Sequence, residues 1–319
     1  MAPRVSVIIP AHNARESLAE TLDSVIAQTY GDWEAIVADD ASSDGTGELA
    51  ARYHPQVQCI RSARNLGIGG ARNLALTRAA GELVALLDAD DVWLPHYLER
   101  QVARYDATVA RGANVGIVCC DAQMLGPKGP RARTASQRNG WADPVTLTTL
   151  LRANTICVSA IVPRAVIDEL GGFATDCLGT EDYDMWLRIL ESGRTVLAVR
   201  EPLFRYRIAQ TAVSANVAGM ARATQTTYRH ALERGHLDAR QRAIARRQLR
   251  LQRFVERWEE AAAWRRRTGR LPWRLMASAG PLGARVVLER PTRWPHWLQI
   301  GLAILHGAPA AGVDRSRQS

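Results

Sequence analysis

The sequence predicts an α/β fold: a mostly parallel mixed sheet flanked by helices, followed by a helical C-terminal extension. Several short apolar runs of strand length are each followed by a segment with helical periodicity. One run, Leu83–Leu87, is apolar throughout, as expected for a strand buried on both faces of a parallel sheet. In addition, Met220–Arg267 lacks proline and is rich in alanine, arginine and glutamate, which is typical of helices.

The first strand is predicted at Val5–Pro10, and an amphipathic helix follows it. Ser17 stands at the start of this helix and is the predicted N-cap. The apolar positions of the helix, at helical spacing, are Leu18, Leu22, Val25 and Ile26. A strand followed directly by such a helix is the repeating element of an α/β sheet.

The second strand, Trp33–Ala38, ends in the adjacent acids Asp39 and Asp40. The following residues, Ser42-Ser-Asp-Gly45, predict a turn and the start of another helix. Polar residues at the carboxyl ends of such strands line the crevice where α/β sheets bind ligands. The alternative for Asp40 is an ordinary turn residue.

The apolar run Leu83–Leu87 ends abruptly in three carboxylates, those of Asp88, Asp90 and Asp91. Like charges at close range repel, so this pattern favours a bound cation. In an Asp-x-Asp sequence both carboxylates lie on the same side of an extended backbone, and hard oxygen ligands suit Mg²⁺ or Mn²⁺. The alternative is a solvated strand end that caps the next helix. Asp91 is expected to start the turn before Pro95.

Six motifs follow one another along the chain. They are Val5-Ser-Val-Ile-Ile-Pro-Ala-His-Asn13, Val37-Ala-Asp-Asp-Ala-Ser-Ser-Asp-Gly-Thr46, Arg64-Asn-Leu-Gly67, Leu86-Leu-Asp-Ala-Asp-Asp91, Gly171-Gly-Phe173 and Thr180-Glu-Asp-Tyr-Asp-Met-Trp-Leu-Arg188. In order and spacing they resemble the family 2 glycosyltransferases. The resemblance implies a Rossmann-like GT-A fold, a nucleoside-diphosphate-sugar donor, a divalent metal (Mn²⁺ or Mg²⁺) and inversion at the anomeric carbon.

The resemblance also implies the domain organisation. It covers residues 4 to 214, so a catalytic domain is expected at 1–214, with a donor half at about 1–122 and an acceptor half at about 140–214. Residues 215–319 then form the extension. The segment from Gly126 through Trp141, rich in glycine, proline and arginine, is expected to be an exposed loop between the two halves.

The donor-binding residues follow from the matching motifs. The resemblance places the nucleotide base against the backbone of Pro10 and Ala11 and against Asp39 and Asp40, with the His12 ring able to lie on the base. Arg72, in a glycine-bearing loop that opens a helix, is expected to contact the diphosphate or the base side. The alternative for Arg72 is an exposed arginine at an ordinary loop-to-helix junction.

The metal and ribose roles fall to the acidic segment Asp88–Asp91. The resemblance makes Asp90 the direct metal ligand and Asp88 a contact to ribose or to the metal. Many relatives carry a histidine after a Tyr-Arg pair, sometimes near the metal, whereas here Tyr206-Arg207-Ile208 is followed by Ala209. This departure implies that water and phosphate fill more of the metal shell.

Asp182 is the candidate general base. It precedes Met185, Trp186 and Ile189 at helical spacing, so its carboxylate is turned towards the protein. Transfer to an acceptor hydroxyl requires a group that takes the hydroxyl proton. The alternative is an acid placed at a helix start by the macrodipole, a role that suits Glu181. Asp184 is a second, weaker candidate for the base.

Composition limits the remaining choices. The chain has 319 residues and five cysteines without metal-ligand or disulfide spacing, which favours free thiols in the cytoplasm. The N-terminus enters a strand at once, so no signal peptide is expected, and no run reaches 18 apolar residues.

Charge is distributed unevenly. Residues 215–319 contain 20 arginines against 7 acids, whereas the preceding residues contain 21 basic and 25 acidic side chains. Residues 271–305 combine arginine with tryptophan and leucine, which suits peripheral contact with the inner face of an anionic membrane. The alternatives are a cap on the catalytic domain and a dimer surface. Nucleic-acid binding is not expected, because the extension lacks a reading motif.

These observations predict an inverting, metal-dependent glycosyltransferase. The expected donor is a UDP-sugar, with dTDP and GDP following the same logic, and the expected acceptor is a glycan or lipid-linked sugar of the cell envelope. Two alternatives stay open. A sugar nucleotidyltransferase would need a glycine-rich, lysine-bearing triphosphate loop, which is missing, and an idle sugar-nucleotide-binding or scaffold protein would bind the donor without turnover.

Overall fold

The computed structural model describes residues 2–126, 129–139, 144–208 and 215–268. The chain forms two compact units, Met1–Gln210 and Thr211–Ser319. This division lies four residues before the predicted boundary. The predicted membrane-contact segment, 271–305, lies outside the described residues. Among the described residues, no helix has both the length and the apolarity that a membrane span requires.

The first unit contains nine strands and eight helices within the described residues. The strands are β1 (Val5–Ala11), β2 (Trp33–Asp39), β3 (Val57–Arg61), β4 (Leu83–Leu86), β5 (Val92–Trp93), β6 (Val115–Gly126), β7 (Gly129–Thr134), β8 (Ala160–Pro163) and β9 (Thr195–Arg207). The helices are α1 (Arg15–Ile26), α2 (Thr46–Ala51), α3 (Gly67–Leu76), α4 (Tyr97–Val109), α5 (Ala135–Asn139), α6 (Leu147–Leu150), α7 (Arg164–Glu169) and α8 (Glu181–Glu191).

The strands form one mixed sheet in the order β3-β2-β1-β4-β8-β6-β9-β5, with β7 paired to β6. β1, β2, β3 and β4 are parallel, whereas β8 is antiparallel to both β4 and β6. The two halves of the unit therefore join in one sheet at β4 and β8. Since β1, β2 and β4 are parallel neighbours, their acidic carboxyl ends lie along the same edge.

The period-two pattern of β1 separates the two faces of the sheet. Val5, Val7 and Ile9 belong to a core cluster that also contains residues of α1 and α4, among them Leu18, Leu22 and Val25. Ile26, predicted on the same apolar face of α1, is instead 44% exposed at the end of the helix. Ile8 of β1 points to the opposite face of the sheet and is fully buried. Burial on both faces explains why the central strands are continuous apolar runs rather than alternating ones.

The start of α1 corrects one expectation. The helix begins at Arg15, so Ser17 lies inside the first turn and is not the N-cap. The first amide groups are satisfied from the segment after β2: Ala14 N–H donates to Thr46 Oγ1 at 2.9 Å and Arg15 N–H donates to Asp44 at 3.0 Å. These long-range partners replace the local cap.

The segment predicted as a loop is also corrected. Residues Gly129–Thr134 form β7, which pairs with the end of β6, and α5 follows. β6 itself extends to Gly126, with Cys119 and Cys120 in its middle. Pairing with a neighbouring strand stabilises extended structure in a sequence whose glycines and prolines suggest a loop.

The second unit is helical over the described residues, as predicted. It contains α9 (Val217–Glu233) and α10 (Ala239–Thr268), which contact each other. Asn216 caps α9 by accepting a hydrogen bond from the Gly219 amide at 2.9 Å. The two helices bury a small apolar set between them, including Tyr228, Leu249 and Phe254.

Candidate active site

The carboxyl ends of β1 and β2 form the first part of the site. Asp40 N–H donates to the Ala11 carbonyl at 2.7 Å, and the His12 ring contacts the Asp40 carbonyl through Nδ1 at 2.7 Å. The Asp40 carboxylate accepts hydrogen bonds from the amides of Leu66 and Gly67 at 2.6 and 2.9 Å. Asp40 therefore anchors the loop that opens α3 to the end of β2.

Asp39 is more deeply enclosed than Asp40. It is fully buried, accepts a hydrogen bond from the Ser42 amide at 3.0 Å and lies 3.4 Å from Arg61. Pro10 is buried within β1, while His12 is exposed at the strand end. The predicted site residues Pro10, Ala11, His12, Asp39 and Asp40 thus form one cluster, and their contact with a nucleotide base stays a prediction.

The turn after β4, Asp88–Asp91, is the second part of the site and is called the acidic turn below. The α1 hydroxyls hold its backbone: Ser17 and Thr21 donate to the Ala89 carbonyl at 2.9 and 3.0 Å. Thr21 also lies 2.9 Å from the Asp91 carbonyl, which it can reach with the same hydroxyl. These polar contacts give Ser17 a role in the site in place of its predicted helix-capping role.

Burial and neighbouring carboxylates both disfavour the ionised forms of Asp90 and Asp91 in this turn. Burial, together with Asp88, raises the pKa of Asp90 to about 6. Burial, together with the carboxylates of Asp90 and Asp88, raises the pKa of Asp91 well above its usual value. Asp91 is 1% exposed and its Oδ2 has no hydrogen-bond partner in the described part of the chain. Hard, crowded and incompletely satisfied oxygens are a suitable donor set for a divalent cation.

Asp91 differs from its predicted role. It was expected simply to start the next turn, but its carboxylate is buried and accepts a hydrogen bond from the Arg207 amide at 2.9 Å. This bond joins the acidic turn to the end of β9. Asp91 therefore holds two distant segments together in addition to shaping the turn.

Arg72 links the acidic turn to α8. Its guanidinium is almost fully buried, donates to Asp88 at 2.8 Å, forms an ion pair with Glu181 and lies 5.5 Å from the centre of the Phe173 ring. Burial lowers the pKa of Arg72, but Glu181 and Asp88 outweigh burial and the net pKa is raised. Both terminal nitrogens of Arg72 thus serve neighbouring carboxylates, and its contact with diphosphate stays a prediction.

Asp182 stands in the first turn of α8, beside this ion-pair network. Burial and the neighbouring Glu181 raise the pKa of Asp182 to about 7, and Arg72 opposes the increase. Met185, Trp186 and Ile189 are fully buried, as the helical pattern predicts. A partly buried carboxylate with a pKa near neutrality is suited to accept a proton.

Asp184 is unsuited to the same task. It is 2% exposed and forms an ion pair with Arg188 at 2.8 Å. Arg188 also donates to the carbonyls of Leu170 and Gly172 at 2.7 and 2.8 Å. This network fixes α8 to the preceding segment, so the structure favours a structural role for Asp184.

α3 fits closely against the loop before α8. Asn73 exchanges two hydrogen bonds with the backbone of Phe173, each 2.8 Å long. A Cβ atom at Gly69 would lie 2.2 Å from the Ala174 carbonyl oxygen, so only glycine permits this approach. The glycine-bearing loop therefore serves helix packing within the site.

The structure brings Asp88 and Asp182 together around Arg72, and Asp90 lies close enough to Asp88 to be affected by its charge. α3 joins this group to the Asp39–Asp40 cluster, because its first residues bind Asp40 and its middle carries Arg72. Sequence reasoning missed the contacts of Arg207 and Glu181. In the sequence, Tyr206-Arg207 indicates only that a histidine is missing at Ala209. A position at the helix start is enough to explain Glu181.

The chain is similar to proteins that are already known. A family model described as glycosyl transferase family 2 matches residues 6–148. TuaG of Bacillus subtilis (strain 168), named for a teichuronic acid biosynthesis glycosyltransferase, is 31% identical over 242 residues, covering 73% of this chain and 90% of that protein.

Two further proteins are similar over most of the chain. The Escherichia coli UDP-Glc:alpha-D-GlcNAc-diphosphoundecaprenol beta-1,3-glucosyltransferase WfgD is 27% identical over 66% of this chain and 80% of its own length. The structure of the mannosyltransferase PcManGT from Pyrobaculum calidifontis, in complex with GDP-Man and Mn²⁺, has a TM-score of 0.63. It is 23% identical and covers 96% of this chain and 86% of its own chain.

Proposed function

The chain belongs to the family 2 glycosyltransferases and has the GT-A fold, and from this premise we propose that it is an inverting, metal-dependent enzyme. It transfers a sugar from a UDP-sugar to the hydroxyl of a cell-envelope glycan. The observation that carries the proposal is the buried Arg72, paired on one side with Asp88 and on the other with Glu181, next to Asp182.

The Arg72 network joins two tasks in one site. Asp88 belongs to the acidic turn, the part suited to a cation and a diphosphate, whereas Asp182 belongs to the helix expected to face the acceptor. Arg72 is ion-paired with Asp88 and Glu181, and its charge acts on Asp182. Donor and acceptor groups would therefore meet at a fixed separation, which single displacement requires.

In this reaction Asp182 accepts the proton of the acceptor hydroxyl as its oxygen attacks the anomeric carbon. The bond from that carbon to the diphosphate oxygen breaks, and the electron pair leaves with the nucleoside diphosphate. A pKa of about 7 lets Asp182 be unprotonated yet basic near neutral pH. Attack opposite to the leaving group inverts the configuration.

Asp88 and Asp90 are the residues that would hold Mn²⁺ or Mg²⁺, with Asp90 as the direct ligand. When bound, such a cation stabilises the negative charge of the departing diphosphate. The crowding of Asp88, Asp90 and Asp91 supports this assignment, since a cation would offset the burial and the repulsion from Asp88 that raise the pKa of Asp90.

The nucleotide and the acceptor are proposed from a relative. WfgD is named for a UDP-Glc donor and a diphosphoundecaprenol-linked sugar acceptor, and TuaG for teichuronic acid biosynthesis. We therefore extend the proposal to UDP-sugars and to lipid-linked acceptors. Such an acceptor would be met at the inner membrane face by a cytoplasmic protein that contacts the membrane peripherally, for which 271–305 is the candidate segment.

A donor panel tests the proposal. Purified full-length protein is incubated with UDP-glucose, UDP-GlcNAc or GDP-mannose, with MnCl₂, MgCl₂ or EDTA, and release of the nucleoside diphosphate is measured with water as acceptor. Metal-dependent release from one UDP-sugar is expected, and NMR of the released sugar should show the inverted anomer. As a matched control, Asp168→Asn removes an exposed acid outside the site.

The alternatives have different outcomes in the same assay. Donor binding without release in any metal, with wild-type protein and crude membrane acceptors, would favour the idle sugar-nucleotide-binding protein. Release in EDTA equal to that in MnCl₂ would contradict the metal dependence. Retention of the donor configuration would contradict inversion.

A further inference from the structure

The end of β9 reaches the acidic turn through a single arginine. Arg207 N–H donates to Asp91 Oδ1 at 2.9 Å, and its Nε donates to the Asp90 carbonyl oxygen at 2.8 Å. The far end of the guanidinium pairs with Glu20 of α1 at 2.5 Å. Arg207 therefore contacts the turn itself and the helix that supports it.

All three consecutive carbonyls from Ala89 to Asp91 lie within hydrogen-bonding distance of side-chain donors. Ser17 and Thr21 of α1 serve Ala89, and Thr21 also lies close to Asp91, whereas Arg207 serves Asp90. Hydroxyl groups of α1 and the guanidinium of β9 thus fix the backbone in the middle of the turn. The direction of the Asp90 carboxylate depends on this backbone.

The strand that carries Arg207 is itself anchored in the sheet. Arg207 pairs with Leu125 of β6, so its backbone position is defined by the ladder. The side chain is 29% exposed and Glu20 is 54% exposed, so the guanidinium lies at the surface of the site and does not fill the core. Truncating it would remove polar contacts with the turn without opening a large internal cavity.

The charge of Arg207 acts in the same direction as these contacts. The acidic turn places three carboxylates within four residues, and the Arg207 guanidinium brings positive charge beside them, with its Nε 2.8 Å from the Asp90 carbonyl oxygen. A cation held by the protein beside these acids reduces their repulsion. The Arg207 side chain does not occupy the Asp90 carboxylate, because it donates to the backbone carbonyl of Asp90.

We propose that Arg207 is a positioning residue that fixes the Asp88–Asp91 turn for binding of the metal–nucleotide pair. This inference rests on the proposed function of the same turn. It differs from the expectation for this segment, where relatives often carry a histidine in the stretch after the Tyr-Arg pair and this chain has Ala209 after Ile208. Here the arginine of the pair itself supports the turn, through the backbone and through charge.

The test compares three variants of the full-length protein. Arg207→Met removes the guanidinium, and Arg207→Lys keeps the charge but cannot reproduce both side-chain contacts. Arg205→Met changes the same residue type on the same strand, where the structure gives no contact with the acidic turn. Calorimetry measures the Kd for UDP with saturating MnCl₂ and with EDTA, and thermal unfolding checks that each variant folds.

In the presence of MnCl₂ we expect Arg207→Met to weaken UDP binding by about 10-fold to 100-fold, the range for residues that orient metal ligands. Arg207→Lys should lie between Arg207→Met and wild type, and Arg205→Met close to wild type. Binding in EDTA should be the same in all four proteins. A purely structural role would lower the melting temperature and the bound fraction without changing Kd.

The outcomes separate this inference from the function on which it rests. If wild type binds UDP better with MnCl₂ and Arg207→Met does so equally well, the inference is overturned and the proposed function stands. If wild type does not bind UDP, or binds it equally in MnCl₂ and EDTA, the metal–nucleotide role of the turn fails, and the inference fails with it.

Discussion

Two strands of the same sheet end in clustered acids, and the structure treats the two ends differently. After β2, Asp40 accepts two backbone hydrogen bonds and Asp39 is bonded to Ser42 and close to Arg61. After β4, Asp90 and Asp91 have raised pKa values. Within the described residues, Asp91 Oδ2 and Asp39 Oδ2 are both buried without a hydrogen-bond partner, but Asp39 Oδ2 lies 3.4 Å from Arg61. Backbone amides and an arginine thus hold the first pair, whereas burial and neighbouring carboxylates disfavour ionisation of the second set, an effect that a bound cation would offset.

This difference indicates that similar acidic sequences can have different roles. One stabilises the local chain, and the other is suited to bind a cation. A carboxylate satisfied by amide groups stabilises the local chain, because burial without partners would be costly. A carboxylate crowded by other carboxylates is destabilising by itself, and a bound cation makes it favourable. Under the proposed function, the first end would shape the donor side, whereas the second would be available for a metal and a diphosphate.

The largest expected effect concerns a third acidic position, Asp182 in α8. Asp182→Asn should lower kcat by about 10² to 10⁴-fold, since the amide cannot accept the acceptor proton. UDP binding in MnCl₂ should stay close to wild type, because the substitution leaves the acidic turn intact. Steady-state kinetics and calorimetry measure the two quantities, and Asp168→Asn is the control.

The pH dependence sharpens the same prediction. Since the pKa of Asp182 is raised to about 7, its basic form disappears below that pH. The wild-type kcat should therefore rise towards a plateau above about pH 7, and the residual rate of Asp182→Asn should lack this limb. Near-normal turnover of Asp182→Asn would assign the base to another residue.

The second prediction addresses the acidic turn. Asp90→Asn should reduce metal-dependent transfer by more than about 100-fold, exceeding the loss typical for residues that only orient a ligand. In the absence of metal, the same variant should unfold at a higher temperature than wild type at pH 7.5. The amide removes a carboxylate whose ionisation is unfavourable in the folded protein.

The sign of this stability effect follows from the pKa. The folded-state pKa of Asp90 is raised from its usual 3.8 to about 6, so the folded protein loses stability as the pH rises through that range. The advantage of Asp90→Asn should therefore be small near pH 4 and reach its full value above pH 6. Differential scanning calorimetry measures both limits. An equal melting temperature at pH 7.5 would contradict the repulsion inferred for the turn.

The smallest expected effect concerns the other strand end. Asp40→Asn should destabilise the protein by about 1–3 kcal/mol, because one part-buried amide group of Leu66 or Gly67 would face the donor side of the asparagine. The destabilisation should be present with and without MnCl₂, in contrast to Asp90→Asn. Urea unfolding measures it, and a gain in stability would show that the two strand ends are alike.

The sequence predicted the sheet strands around the site and the acidic residues at their ends. Strands β1, β2 and β4 lie within one residue of their predicted bounds, since continuous apolar runs bounded by turn residues leave little choice of secondary structure. The helical extension was also predicted over the described residues, as was the burial of Met185 and Trp186 in α8.

Other features depended on contacts between distant residues. The cap of α1 comes from Thr46 and Asp44, so the local serine signal was overruled. The extended structure of β7 depends on pairing with β6. Neither partner can be identified from spacing within the segment itself.

The sequence by itself determined the family, the acidic strand ends and the candidate base, because these depend on residue types in a fixed local order. Only the tertiary structure decided which carboxylates are satisfied and which are crowded. It paired Arg72 with Asp88 and Glu181, and it placed Arg207 against the backbone of Asp90. The energy of a charge depends on its neighbours in space, and these residues are far apart along the chain.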